Sequence, residues 1–208
     1  YRIVGSEMCI RDRYSIVMKN IRIYPSSKES ILDTVEQIAL TEGILRITID
    51  NVAAKSKISK GGVLYHFPNK EMLIAELIKR FIQELNDVFQ NTYQNMPPAR
   101  GRAARALLSV SFDSDLARSN RLQRTGTLFL SAFVHFPSQF HFACESRRLL
   151  QDLLIKDGLP EDVGHLLMVA LDGLCMADAL SFHECDPEMR SALRNRLEKM
   201  IEEALHEE

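Results

Sequence analysis

Apolar residues recur at helical intervals along nearly the whole chain, and no strict alternation persists long enough to mark a strand. Ile31, Leu32, Val35, Ile38 and Ala39 make the first stripe, with Ser26 or Ser27 placed to cap it and Gly43 placed to end it. Thr48 can cap a second, short helix carrying Val52 and Ala53; Ser56-Lys57-Ile58 then interrupts the pattern. Ser59 caps a third helix, Lys60 to His66, which stops at Phe67-Pro68. Ile47, Ile49, Val52, Ile58, Val63 and Phe67 complete a small three-helix core. From Asn69 a fourth helix runs through Leu73, Ile78, Phe81, Leu85 and Phe89 to Pro97-Pro98, too long to serve that small core alone. Further helices are predicted near 99–118, 121–136, 138–156, 160–182 and 187–205, punctuated by Pro137-Ser138, Gly158-Leu-Pro160 and Asp186-Pro187. The expected fold is all-α with about nine helices: a three-helix head over 18–70 and a helical body over 71–208. Residues 1–17 fit neither period and read as an extension foreign to the head, an artefact of assembly or gene start. A basic minor-groove arm built on Arg2, Arg11 and Arg13 is the alternative.

Charge refines this division. The chain of 208 residues has a net charge of −2, but residues 18–80 carry 10 Lys/Arg against 7 Asp/Glu while residues 81–208 carry 13 against 19. A mildly basic head on an acidic body suits a polyanionic partner met by the head alone. Cys9, Cys144, Cys175 and Cys185 share no CxxC spacing and are expected to be buried free thiols. No apolar run is expected to reach the roughly 18 residues of a membrane span, and no secretory h-region is seen, so the cytoplasm is the expected compartment and no membrane partner is expected. His183-Glu184-Cys185 with Cys175 and Asp178 matches no zinc spacing, and a surface loop explains it better. No nucleophile triad, phosphate loop or HExxH motif occurs, so no enzyme, metal or cofactor is expected.

The third helix carries the chemistry. It combines a cation, two glycines, a phenol and an imidazole, a surface better suited to a negatively charged groove than to a core. In a helix-turn-helix the second helix of the pair enters the DNA major groove while the first crosses the backbone. Ile58-Ser-Lys-Gly-Gly-Val-Leu-Tyr-His-Phe-Pro-Asn-Lys-Glu-Met-Leu73 resembles the recognition helix and following segment of tetracycline-repressor-like (TetR/AcrR) regulators, and the likeness runs from about Ser27 to Leu77. Lys60, Gly61, Gly62, Leu64, Tyr65 and His66 are the expected DNA-reading residues, with Ser59 as their cap. Lysine reaches guanine acceptors or phosphate, glycine admits close approach, and the two ring side chains can donate to phosphate. The resemblance also places Thr48 and Lys70 at helix N-termini facing phosphate on either side of the groove. Leu64 stands where many relatives carry Tyr, and Asp50 is expected to cap or to orient neighbouring cations; operators of other members therefore do not transfer to this chain.

For the body, the resemblance implies a pocket for a small, unidentified effector. Its expected lining is Phe112, Leu116, Phe129, Phe133, Phe136, Phe140 and Met168, although a plain core explains those residues equally well. It further implies a homodimer through the last two helices, with Leu167, Leu171, Gly173, Leu174, Ala177, Leu193, Leu197, Met200 and Ile201 at the interface. The function implied is a repressor that binds a palindromic operator in double-stranded DNA and is released by its effector. The alternatives are an activator without a ligand, or a helical ligand-binding or interaction protein whose head no longer reads DNA.

Overall fold

A computed structural model describes residues 26–112, 120–180 and 186–206, the side chains of 120–125 excepted. Residues 1–17, Leu116, Cys9, His183 and Cys185 thus lie outside the described residues. Nine α-helices and no strand are found among the described residues. They are α1 (Ser27–Glu42), α2 (Ile49–Ser56), α3 (Lys60–His66), α4 (Lys70–Asn95), α5 (Arg102–Phe112), α6 (Asn120–His135), α7 (His141–Lys156), α8 (Glu161–Leu180) and α9 (Pro187–His206). Short 3₁₀ turns follow α1 at Ile44–Arg46 and α6 at Pro137–Phe140.

Each helix of the head begins where a side-chain oxygen meets a free amide. Ser26 Oγ accepts from Glu29 N–H at 3.3 Å, Thr48 Oγ1 from Asn51 N–H at 3.1 Å, Ser59 Oγ from Gly62 N–H at 3.1 Å and Asn69 Oδ1 from Met72 N–H at 2.8 Å. A cap of this kind stabilises a helix by about 1 kcal/mol, which is decisive for helices as short as α2 and α3. Gly43 ends α1 at φ 92°, as its position after the stripe implied. The turn between α2 and α3 places Lys57 at φ 58°, left-handed backbone occupied here by a residue with a side chain. The interruption at Ser56-Lys57-Ile58 marks the turn but not the left-handed backbone of Lys57.

Two apolar clusters form the interior. The first joins Ile31, Val35, Ile38, Ile47, Val52, Val63 and Phe67 of the head to Leu73, Ile74 and Ile78 of α4, and takes in Ala132 and Phe140 from far along the chain. The second gathers Phe89, Ala103, Ala104, Leu108, Phe112, Leu154, Leu167, Met168 and Ile201. Helix α4 contributes to both, and its 26 residues span roughly 39 Å. It is therefore the rigid member between head and body.

Asp157, just beyond α7, ties the far end of the body together. Its carboxylate accepts from Ala103 N–H at 2.9 Å and from the Tyr93 hydroxyl at 3.2 Å, while its carbonyl accepts from Gly101 N–H at 2.7 Å. Burial, then the neighbouring Asp157 charge, pushes the Tyr93 phenol above its ordinary value.

Two expectations need correction. Cys144 and Cys175 are free thiols but exposed, because their helical positions face outward. Helix α8 is, by length and composition alone, apolar enough to cross a membrane, although no such run was anticipated. Leu167, Met168 and Leu171 on one side of it fill the protein's own second core, and Asp172 pairs with Arg147.

Gly101 sits at φ 70° with Leu205 against the position a Cβ would take. Gly101→Ala should therefore cost about 2–4 kcal/mol, combining left-handed strain with overpacking, and lower the midpoint of chemical denaturation.

Candidate nucleic-acid interface

Helices α2 and α3 pack through Val52 and Val63, both with no exposed surface, and this leaves the opposite face of α3 open to solvent. Tyr65 is 84% exposed and Leu64 38% exposed, large side chains held outward on a helix that begins with exposed Lys60 and Gly61. The His66 ring, half-buried, pairs its Nε2 with Ser27 Oγ at 2.7 Å, so the end of α3 is tied to the start of α1. His66 thus joins the expected face at its edge, with one ring nitrogen already engaged.

The two glycines of α3 turn out to differ. A Cβ on Gly62 would meet Ile58 Cγ2 at 2.8 Å and Ser59 Oγ at 3.3 Å, so Gly62 is needed for the turn and its cap. A Cβ on Gly61 would meet nothing within 4 Å. No packing inside the protein requires glycine at 61, and a helical glycine costs about 0.5–1 kcal/mol against alanine. Its bare backbone lies at the N-terminal turn of α3, where a groove would approach most closely.

Three cations around this face, Lys55, Lys60 and Lys70, are held by acceptors of the protein itself. Lys60 Nζ lies 2.8 Å from Asp50 Oδ1, and Lys55 pairs with Glu42. The Lys55 hydrogen bond, the largest influence, holds the Glu42 carboxyl below its ordinary value. Lys70, the first residue of α4, donates to the Leu45 carbonyl at 3.0 Å and lies 5.4 Å from the centre of the Phe136 ring. Lys70 was expected to meet phosphate; here its ammonium bridges the head to the turn after α6. Thr48 and Ser59 spend their hydroxyls on caps, which leaves free N–H groups at the helix starts to meet an anion.

Comparison with known proteins bears on this arrangement. The model for bacterial regulatory proteins of the tetR family matches residues 31–77, and the tetracyclin repressor-like C-terminal domain model matches 101–202. The chain belongs to the TetR family. Among curated relatives, the HTH-type transcriptional regulator BetI of Klebsiella pneumoniae is 22% identical over 184 residues, covering 85% of this chain and 94% of BetI. A putative transcriptional regulator from Pseudomonas aeruginosa PAO1 superposes with a TM-score of 0.72 at 17% identity, over 89% of this chain and 95% of that one. The multidrug binding protein EbrR, solved with malachite green, gives 0.68 at 20% identity over 85% and 99%. This TetR-family chain is thus a DNA-binding transcriptional regulator and not an enzyme.

The expected pocket lining does not converge on one recess. Phe112 and Met168 are buried in the second core, and Phe140 is buried in the first. Phe133 is 54% exposed and packs edge-on against Phe140 at 5.1 Å, while Phe136 lies under Lys70. Phe112, Phe140 and Met168 are thus consumed by packing. Phe129 lines a cavity of about 30 Å³ between α1, α4 and α6, walled by Ile44, Leu77, Phe81 and Ala132. Beside it Arg80 reaches Asp33 at 2.7 Å, Glu36 at 3.9 Å and Glu84 at 3.6 Å. Burial works against the Arg80 charge, but these carboxylates outweigh it and hold the guanidinium above its ordinary value.

The expected dimer residues divide in the same way. Leu167, Leu171 and Ile201 are buried in the second core and have no surface to give a partner. Leu174, Ala177, Leu197 and Met200 are half-buried, while Gly173 and Leu193 are exposed. The outward apolar stripe runs instead through Leu166, Val169, Gly173, Met176 and Leu180 of α8, joined by Met189 and Leu193 of α9. Its 3-4-3-4 spacing is that of a helix-pairing seam. The sequence did not separate outward Leu166, Val169, Met176 and Leu180 from inward Leu167 and Leu171, because α8 is apolar on several sides.

The glycines yield opposed expectations. Gly61→Ala should raise stability by up to about 1 kcal/mol yet weaken DNA binding, whereas Gly62→Ala should lower stability by about 1 kcal/mol or more. Chemical denaturation and a DNA titration on both variants check this; unchanged DNA affinity for Gly61→Ala would remove Gly61 from the interface.

Proposed function

We propose that this regulator is a homodimeric repressor that reads a two-fold symmetric operator with α3 and leaves it when a small effector binds the body. The observation that carries the reading is the outward face of α3, with Tyr65 exposed and Gly61 bare, on a helix pair anchored by Val52 and Val63. One such helix reads few base pairs, so two heads on half-sites about one turn of DNA apart roughly double the contacts. The apolar seam of α8 and α9 is the surface that would join them, and burying it would account for a run that otherwise leaves Leu166 56% and Val169 52% exposed. A chain working on DNA in this way would reside in the cytoplasm, without a membrane partner and without a resident cofactor.

Release follows from how head and body meet. The cavity of about 30 Å³ lies between α1 of the head, α4 and α6. Pockets for drug-sized ligands measure about 300–1,000 Å³. An effector of that size entering this cavity would have to spread α1, α4 and α6 before it fits, and α4 would transmit the displacement to the head. A ligand that binds the spread arrangement better shifts the population away from operator spacing. EbrR, a structural neighbour, was solved with imidazole, malachite green and ethidium. Comparable effectors are a reasonable first set to screen here.

Two experiments test the reading. Tyr65→Ala and Lys60→Ala should each weaken binding to DNA from immediately upstream of the protein's own gene about 5- to 100-fold, at unchanged helicity. Fluorescence titration at two salt concentrations reads this, and unaltered affinity removes those residues from the site. Val169→Glu should convert the dimer to a folded monomer in analytical ultracentrifugation; a dimer that persists in this variant would place the interface elsewhere.

A further inference from the structure

We propose that Asp50 is a specificity-determining residue of the head, a built-in counter-charge that keeps the Lys60 ammonium off phosphate and directs it to base acceptors. The proposal rests on the reading of α3 as the DNA-contacting helix. Asp50 lies in the first turn of α2 and Lys60 is the first residue of α3, so their 2.8 Å ion pair bridges the two helices of the reading unit. Their side chains are 76% and 61% exposed, so neither contributes to the core that folds the head. The pair stands out because an acid on a DNA-facing surface opposes binding to a polyanion. Its partner is the cation that opens the reading helix.

The chemistry of an ammonium group gives the pair a use. Lysine has three N–H donors, and Asp50 Oδ1 takes one. The remaining two can reach the N7 and O6 acceptors of a guanine while the ion pair stays intact. Moving instead to a phosphate would mean leaving Asp50 and stranding its carboxylate beside the backbone charges. Lys60 is thereby withheld from sequence-independent contact. Lys57, exposed in the turn and without an ion pair among the described residues, is placed to supply that contact. The pair raises discrimination by lowering affinity for the wrong DNA.

The test uses full-length wild type, Asp50→Asn, Lys60→Ala and the double variant. Each is titrated by fluorescence anisotropy against an operator duplex selected from random sequences and against a scrambled duplex, over a salt series. Asp50→Asn should tighten the scrambled complex about two- to fivefold, the range of an exposed ion pair, and change operator affinity by less than about twofold. It should steepen the salt dependence on scrambled DNA by about 0.9 in log–log slope, the signature of one added phosphate contact. In the Lys60→Ala background the same substitution should alter neither the ratio nor the slope. Equal tightening on both duplexes, or a gain that survives Lys60→Ala, would show plain repulsion of phosphate by Asp50 and overturn the proposal. If the wild type itself fails to discriminate, the DNA-reading function falls and the proposal falls with it. Circular dichroism of all four proteins distinguishes these outcomes from loss of fold.

Discussion

Head and body share one apolar core, and the rest of the structure is arranged around that joint. Ile31, Val35 and Ile38 of α1 pack with Ile74 and Ile78 of α4, and the same cluster takes in Ala132 and Phe140 from the second half of the chain. Protein interiors are close-packed and deform by switching between arrangements more readily than by bending. A displacement of α6 or of the turn after it therefore changes where α1 and α4 can sit. Since α3 is fixed to α1 through Val63 and the His66–Ser27 hydrogen bond, the reading helix follows.

Polar contacts reinforce the same joint. Arg80 on α4 draws in Asp33 and Glu36 of α1, and Lys28 of α1 pairs with Glu76 of α4 at 2.9 Å. Lys70 spans Leu45 on one side and Phe136 on the other. These contacts are partly exposed and individually modest. They lie around the cavity and along α4, where a change of arrangement must break or remake them. Under the proposed release mechanism, these contacts would couple an event in the body to the attitude of the head without a dedicated wire between them.

How far the sequence revealed this depends on distance along the chain. The head's caps were legible because a Ser, Thr or Asn and the amide it receives lie three residues apart, and the local pattern holds both. Gly43 and the end of α1 were legible for the same reason. The partner of Lys70 was not, since Leu45 and Phe136 come from segments 25 and 66 residues away and carry no local mark. The aromatic residues of the body were correctly placed on helices, but composition does not say which way a ring faces; packing buried Phe112 and Phe140 and left Phe133 outside. Helix α8 posed the same difficulty. Leu166, Leu167, Met168, Val169, Ala170 and Leu171 are consecutive apolar residues, and only the fold decides that Leu167 turns inward and Val169 outward.

The central claim is that α3 of a paired molecule reads DNA. It is tested most directly by selecting binding sequences for the purified full-length protein from random duplexes, then footprinting the winners. The account predicts an enriched two-fold symmetric sequence with two protected half-sites about one helical turn apart. Recovery of duplexes with no shared sequence, bound no better than the starting pool, would contradict it.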